Sequence, residues 1–241
     1  MKVLIAQYKP SLSKKNNLKK HLEILEETPK DTDVVIFPEL SLNGYYLQDK
    51  VVEDFWTIEE LDEIADLSKD FDIIVGAVLK EGKNFYNSAI YFWGGKVLHI
   101  HRKFKLPNYG LFEESRFFAK GDLIDSFHSP FGKSVMLVCE DLWSGETIGK
   151  LEKIDPDIIF VVSNSPTRGF TDDGNLEIVS QWRSILKTTA ILVKSKIIFV
   201  NRVGFEDGLG FWGGSRIISE NGETLQKLEL FEETFQAFGN L

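Results

Sequence analysis

Ser134-Val-Met-Leu-Val-Cys-Glu-Asp-Leu-Trp143 holds an apolar run, Val135 to Val138, that stops abruptly at Cys139 and is followed at once by two acids. A short continuous apolar run fits a strand buried on both faces. The break then puts the thiol at the carboxyl end of that strand. Cys139 is the one cysteine in the chain, so no disulfide within the chain claims it. Free cysteine is commonly a small buried hydrophobe, but Glu140 and Asp141 directly after it do not suit an inert interior position.

Similar runs recur on both sides. Asp33-Val-Val-Ile-Phe37 ends at Pro38-Glu39, Asp157-Ile-Ile-Phe-Val-Val162 ends in Ser163-Asn-Ser-Pro166, and Lys196-Ile-Ile-Phe-Val200 runs to Asn201. Lys2 to Tyr8, Asp72 to Leu79, Phe85 to Trp93 and Lys96 to Lys103 also read as strands, the last three joined by glycine-containing turns. Shorter strands are expected at Leu123 to His128, near Gly214 to Ser219, and at Glu223 to Leu230. Helical spacing marks Asn16 to Glu27, the segment opened by the capping-box pattern Thr57-Ile-Glu-Glu60, Glu146 to Ile154, and Leu176 to Ala190. Leu106 to Gly121 reads as a long loop.

This order makes two similar halves, each a sheet with helices on its outside. Packing the two sheets face to face buries the apolar strands on both faces, so an α/β sandwich is expected rather than a doubly wound single sheet. A chain of 241 residues fits one domain, residues 1–241. Glu39, Lys103, Cys139 and Asn201 each end a strand, and Ser163 and Asn164 stand in a fifth such place. Ligands of open α/β sheets bind at the carboxyl ends of strands, so function is expected at that rim.

Composition narrows the partners. A net charge of −9, from 28 Lys and Arg against 37 Asp and Glu, argues against nucleic acid or an anionic membrane. No segment approaches the roughly 18 consecutive apolar residues of a membrane span. One cysteine and no signal-peptide anatomy at Met1-Lys-Val-Leu-Ile-Ala lead to an expected cytoplasmic location.

A cysteine nucleophile needs a base for its proton and a donor for the oxyanion. His21 lies in a charged helix, His99 and His101 on a strand, and His128 between two strands. None of the four stands at the mouth of a buried strand. Glu39, at the end of Val34-Val-Ile-Phe-Pro38, is the better base, although a lone glutamate more often caps a turn. The ammonium of Lys103, if close, would favour the thiolate over its ordinary pKa of about 8.5.

Phe37-Pro-Glu-Leu40, Arg102-Lys103 with Leu106-Pro-Asn-Tyr-Gly110, and Val138-Cys-Glu-Asp-Leu-Trp143 occur in that order, followed by Asn201-Arg-Val-Gly204 and Phe211-Trp-Gly-Gly-Ser215. Together they resemble the nitrilase superfamily of carbon–nitrogen hydrolases over nearly the whole chain. Leu106 to Arg116, Cys139 to Trp143 and Ser163 to Pro166 are most similar to the branch containing the glutaminase domain of glutamine-dependent NAD synthetase. The resemblance implies a four-layer αββα sandwich. It makes Glu39 the general base, Cys139 the nucleophile and Lys103 the oxyanion-side cation. It matches a second, positioning glutamate to Glu114, with Glu113 the neighbouring choice. By the same likeness Glu140 offers its backbone N–H to the oxyanion, while Asp141 ties the turn. No metal or cofactor is implied.

The expected activity is hydrolysis of a small-molecule amide through a Cys thioester. One alternative is a glutaminase subunit supplying ammonia to a separate synthetase, since no ATP motif is visible before Leu241. Another is a catalytically silent binding or regulatory member of the fold. Tyr45, Tyr46, Tyr109, Phe112, Trp143, Phe170 and Trp212 are candidates for the pocket wall, and Arg116 or Arg168 for a substrate carboxylate. The resemblance also implies a homodimer, although Gln226 to Leu241 is a short C-terminal segment for the family.

Overall fold

The computed structural model describes residues 1–45, 47–171 and 174–239, so Tyr46 lies outside the described residues. In chain order the elements are β1 (Val3–Gln7), α1 (Lys14–Glu26), β2 (Val34–Ile36), α2 (Asp62–Leu67), β3 (Asp72–Glu81), β4 (Asn84–Trp93), β5 (Lys96–Arg102) and α3 (Glu114–Phe117). There follow β6 (Phe127–Ser129), β7 (Gly132–Val138), α4 (Gly145–Ile154), β8 (Ile158–Ser163), α5 (Glu177–Val193) and β9 (Lys196–Asn201). The chain then runs through β10 (Val203–Glu206), β11 (Leu209–Trp212), β12 (Arg216–Ile218), β13 (Thr224–Lys227) and β14 (Thr234–Phe238).

Two mixed six-stranded sheets form, in the orders β14-β1-β2-β3-β4-β5 and β13-β12-β9-β8-β7-β6. The parallel pairs β1–β2, β2–β3, β7–β8 and β8–β9 lie at the centres. Alternation along each strand assigns the layers. Ile158, Phe160 and Val162 of β8 pack with Val34 and Ile36 of β2 in a core between the sheets. Ile159 and Val161 point the other way, under Leu151 of α4 and Trp182, Leu186 and Ala190 of α5. Val35 and Phe37 likewise pack under Ile24 and Leu25 of α1 and Ile64 of α2. Strands covered on both faces must be apolar at every position, hence the unbroken runs. The layers are helix, sheet, sheet, helix, as the α/β sandwich reading expects.

Several local expectations move. The strand sought at Leu123 to His128 forms at Phe127–Ser129, and Leu123 is exposed because only the stretch beside β7 finds a pairing partner. The loop between Leu106 and Gly121 contains α3, a single turn. The β10–β11 hairpin and β14 have no clear apolar period of their own. Strand β14 exists because β1 offers it an open edge, pairing Val3 with Phe238.

The backbone after β2 turns back over β3, and Leu40 takes a positive φ of 47° just beyond Glu39. Gly76 on β3 permits this crossing. A Cβ there would lie 2.3 Å from Leu40 N and 2.5 Å from Pro38 O, both immobile backbone atoms. Gly76→Ala is therefore expected to lower stability in urea denaturation by roughly 1–3 kcal/mol, as overpacking does. Gly145→Ala, at a helical position with nothing within 4 Å of the added Cβ, should leave stability unchanged or raised. Equal midpoints for wild type and Gly76→Ala would show that the crossing is not tight.

Candidate active site

The carboxyl ends of β2, β5, β7 and β8 meet at one rim. Glu39 follows β2, Lys103 follows β5, Cys139 follows β7, and Ser163 closes β8. The Lys103 ammonium, 1% exposed, lies 2.7 Å from Glu39 Oε1 and 2.8 Å from Glu114 Oε1. Glu39 is fully buried and accepts two more hydrogen bonds, from Asn87 Nδ2 at 2.7 Å and from the Asn164 backbone N–H at 2.6 Å. Glu114 Oε1 also accepts from the Tyr45 hydroxyl at 2.9 Å, while Glu114 Oε2 is buried without a partner among the described residues.

Burial alone would pull Lys103 down, but the carboxylates of Glu114 and Glu39 hold it well above the ordinary lysine range. Glu114 is raised to about 7, chiefly by burial and further by the charge of Glu39, with Lys103 opposing. Burial likewise pushes the Cys139 thiol well up, the charge of Glu39 adds to this, and Lys103 only partly opposes it. Lys103 does pull toward the thiolate, as expected, and so does the Ser163 hydrogen bond, but burial and the charge of Glu39 outweigh them and the balance favours the protonated thiol.

Cys139 adopts φ 44°, uncommon for a residue with a side chain, at the point where β7 turns into a short 3-10 helix, Cys139–Trp143. Asp141 holds that turn. Its carboxylate accepts from Val138 N at 2.9 Å, Phe104 N at 2.8 Å, Lys105 N at 2.7 Å and His101 Nε2 at 2.7 Å. One buried side chain thus staples the Cys139 turn to the segment that carries Lys103. His101 is occupied by Asp141, and His21 is buried between Asn17 O and Ser41 Oγ. His99 stacks on Phe127 and pairs with Asp125, and His128 is exposed. None of these histidines serves the thiol, whose hydrogen bond comes from Ser163 Oγ at 3.3 Å.

Cys139 opens onto a pocket whose walls include Lys103, Glu114, Tyr45, Tyr109, Trp143 and Asn164. The family resemblance noted in the sequence can now be set beside this geometry. The carbon–nitrogen hydrolase family pattern matches residues 2–237. The chain belongs to the carbon–nitrogen hydrolase family. It is 29% identical over 240 residues to the glutamine-dependent NAD(+) synthetase of Acinetobacter baylyi, covering 96% of this chain and 42% of that protein. The structure of glutamine-dependent NAD+ synthetase from Acinetobacter baumannii superimposes with a TM-score of 0.86 at 30% identity, over 98% of this chain and 44% of that one. A carbon–nitrogen hydrolase from Helicobacter pylori gives the same fold, with a TM-score of 0.86 at 23% identity over 98% of this chain and 88% of that one. The chain spans about two fifths of the length of the curated NAD synthetases it matches.

Against this family background the sequence candidates divide. Glu114 turns inward to Lys103, whereas Glu113 is exposed and pairs with Arg116. Arg168 lines the cavity, and Arg116 sits outside it beside Asp49. Phe112 lines the cavity, Trp212 is core beneath it, and Phe170 is exposed away from the wall. The side chain of Glu140 also lines the cavity and accepts from the Tyr109 hydroxyl at 3.0 Å, a part that its backbone role did not suggest. Its own pKa is raised, mainly by burial. Asn87 and the buried pair Arg202–Glu206 were not legible. Glu206 receives the Tyr45 backbone N–H at 2.8 Å and Arg202 Nη1 at 2.9 Å, so Asn201-Arg-Val-Gly204 anchors the cavity wall. Among the described residues no group of three or more His, Cys, Asp or Glu side chains is arranged to hold a metal ion.

The raised Glu114 makes a pH prediction. A carboxyl that binds its proton more tightly when folded costs stability as pH climbs from the unfolded value of about 4.3 through about 7. Glu114→Gln removes that cost. The stability advantage of wild type over Glu114→Gln should therefore shrink by on the order of 3 kcal/mol between pH 4.5 and pH 8, at 1.36 kcal/mol per pKa unit. Denaturant melts of both proteins at several pH values check this; parallel curves would mean that Glu114 titrates normally.

Proposed function

We propose that the chain hydrolyses a small-molecule amide to acid and ammonia through a thioester on Cys139. The observation that carries this reading is the buried Glu39–Lys103–Glu114 cluster beside a cysteine that opens onto a pocket. Glu39 takes the thiol proton as Sγ attacks the amide carbon. The oxyanion is held by Lys103 and by the Glu140 N–H, in the first turn of the 3-10 helix, where N–H groups lack intrahelical partners. Glu39 returns the proton to the nitrogen, the C–N bond breaks and ammonia leaves. Glu39 then deprotonates a water that attacks the thioester carbonyl. The C–S bond breaks, and the acid and the free thiol are restored. Acid–base assistance of this kind contributes about 10²–10⁴ in rate.

A second reading, a glutaminase, is favoured by the charges at the cavity mouth. Arg168 and Glu140 both line it, so a cation and a carboxylate are available to the carboxylate and ammonium of an amino-acid amide. The glutamine-dependent synthetases among the relatives support glutamine as the first amide to try.

Cys139→Ala and Cys139→Ser are expected to fold and to release no ammonia from a panel of glutamine, glutaramate and small aliphatic amides. Glu39→Gln and Lys103→Ala should lose at least about 10²-fold in kcat. Preference for glutamine over glutaramate and over propionamide would select the glutaminase reading. Silence of the wild type across the panel, with Cys139 also inert to iodoacetamide, would leave a binding protein in place of an enzyme.

A further inference from the structure

Asn164 stands directly after β8, and its side chain is unlike any other in the cavity wall. The residue is 1% exposed and lines the cavity with Cys139, Lys103 and Glu114. Yet neither Oδ1 nor Nδ2 has a hydrogen-bond partner among the described residues. The groups that flank it along the chain are already engaged. The Asn164 backbone N–H is held by Glu39 Oε2 at 2.6 Å. On one side Ser163 bonds Cys139 Sγ; on the other the Ser165 N–H is held by Asn201 Oδ1 at 2.9 Å, and Ser165 Oγ accepts from the indoles of Trp182 and Trp212. These flanking groups are spoken for, and the carboxamide is idle.

Burying a donor and an acceptor without partners is costly, and an apolar side chain of similar shape would be better in the empty protein. A feature that costs stability and faces the reacting groups is expected where a ligand completes it. We infer that Asn164 is a substrate-binding residue, whose carboxamide pairs with the carboxamide of the substrate. The chemistry selects the partner. A carboxamide offers a C=O to Nδ2 and an N–H to Oδ1. An ester offers no N–H, and a carboxylate sets a lone pair and a negative charge against Oδ1. Because neither atom is engaged, turning the group over leaves the same donor–acceptor pair. Asn164 thus discriminates amides from esters and from the acid product, and leaving Oδ1 unmatched after hydrolysis favours product departure. This rests on the amide-hydrolase reading for its substrate class.

The test compares wild type, Asn164→Ala and Asn164→Leu on the fastest amide of the panel and on the methyl ester of the same acid, following ammonia or methanol. Glutamine and glutamate γ-methyl ester are the pair if the panel is silent. The same pair is titrated calorimetrically into Cys139→Ala with and without Asn164→Ala, and each unliganded protein is melted. Amide kcat/KM should fall about 10- to 100-fold in Asn164→Ala, the size of one buried group left unmet. Ester kcat/KM should change less than about threefold, and Asn164→Leu should melt no lower than wild type. Parallel loss on amide and ester with a lowered Tm, or an unchanged amide rate, overturns the assignment. Catalytic silence with an amide-over-ester binding preference that Asn164→Ala abolishes would sustain it and reject amide hydrolysis instead.

Discussion

The buried ammonium of Lys103, bridging Glu39 and Glu114, is the constraint on which the rest of the site depends. Its two partners lie 64 and 11 residues away in sequence, so three separate segments must arrive together to neutralise one desolvated charge. Removing Lys103 leaves two buried carboxylates facing each other without a counter-charge, and breaking a buried pair in this way typically costs about 3–5 kcal/mol. The surrounding structure can be understood as what makes that meeting possible. Gly76 lets the Glu39 turn lie flat on β3, and the Asp141 carboxylate ties the Lys103 segment to the Cys139 turn. The Arg202–Glu206 pair fixes Tyr45, which in turn bonds Glu114.

The same cluster governs the sulfur. A cation near a cysteine normally favours the thiolate. Here the cation is shared between two carboxylates and the sulfur is desolvated, so the thiol keeps its proton. A resting thiol needs a base in contact with the reaction, and in the proposed mechanism Glu39 is that base. The positive φ of Cys139 adds backbone strain, held by four hydrogen bonds to Asp141.

Satisfaction of polar groups divides the wall of the cavity into two kinds. Glu39, Lys103, Asp141 and Ser165 have partners within the protein and are held in place. Glu114 Oε2 and both polar atoms of Asn164 have none among the described residues. On the proposed reading, groups of the first kind preorganise the chemistry and those of the second kind are left for what enters.

The layered architecture was legible in the sequence because strands covered on both faces must be apolar throughout, and β2, β7, β8 and β9 are written that way. The polar residues ending those runs, Glu39, Cys139, Ser163 and Asn201, marked the rim because the apolar run stops where the sheet stops. Lys103 was legible as a further strand end, whereas Glu114 was reached through family motifs. Asn87, in the middle of β4, and Glu206, in a hairpin without apolar period, carry no local signal, and α3 and β14 are ordered only by what they pack against. The sequence by itself determined which segments are strands and which residues stand at their ends. Only the tertiary structure decided that Glu114 and not Glu113 meets Lys103, that His101 is spent on Asp141, and that the thiol rests protonated. Contact between distant segments and the desolvation it causes are properties of the packed chain, and no local pattern records them.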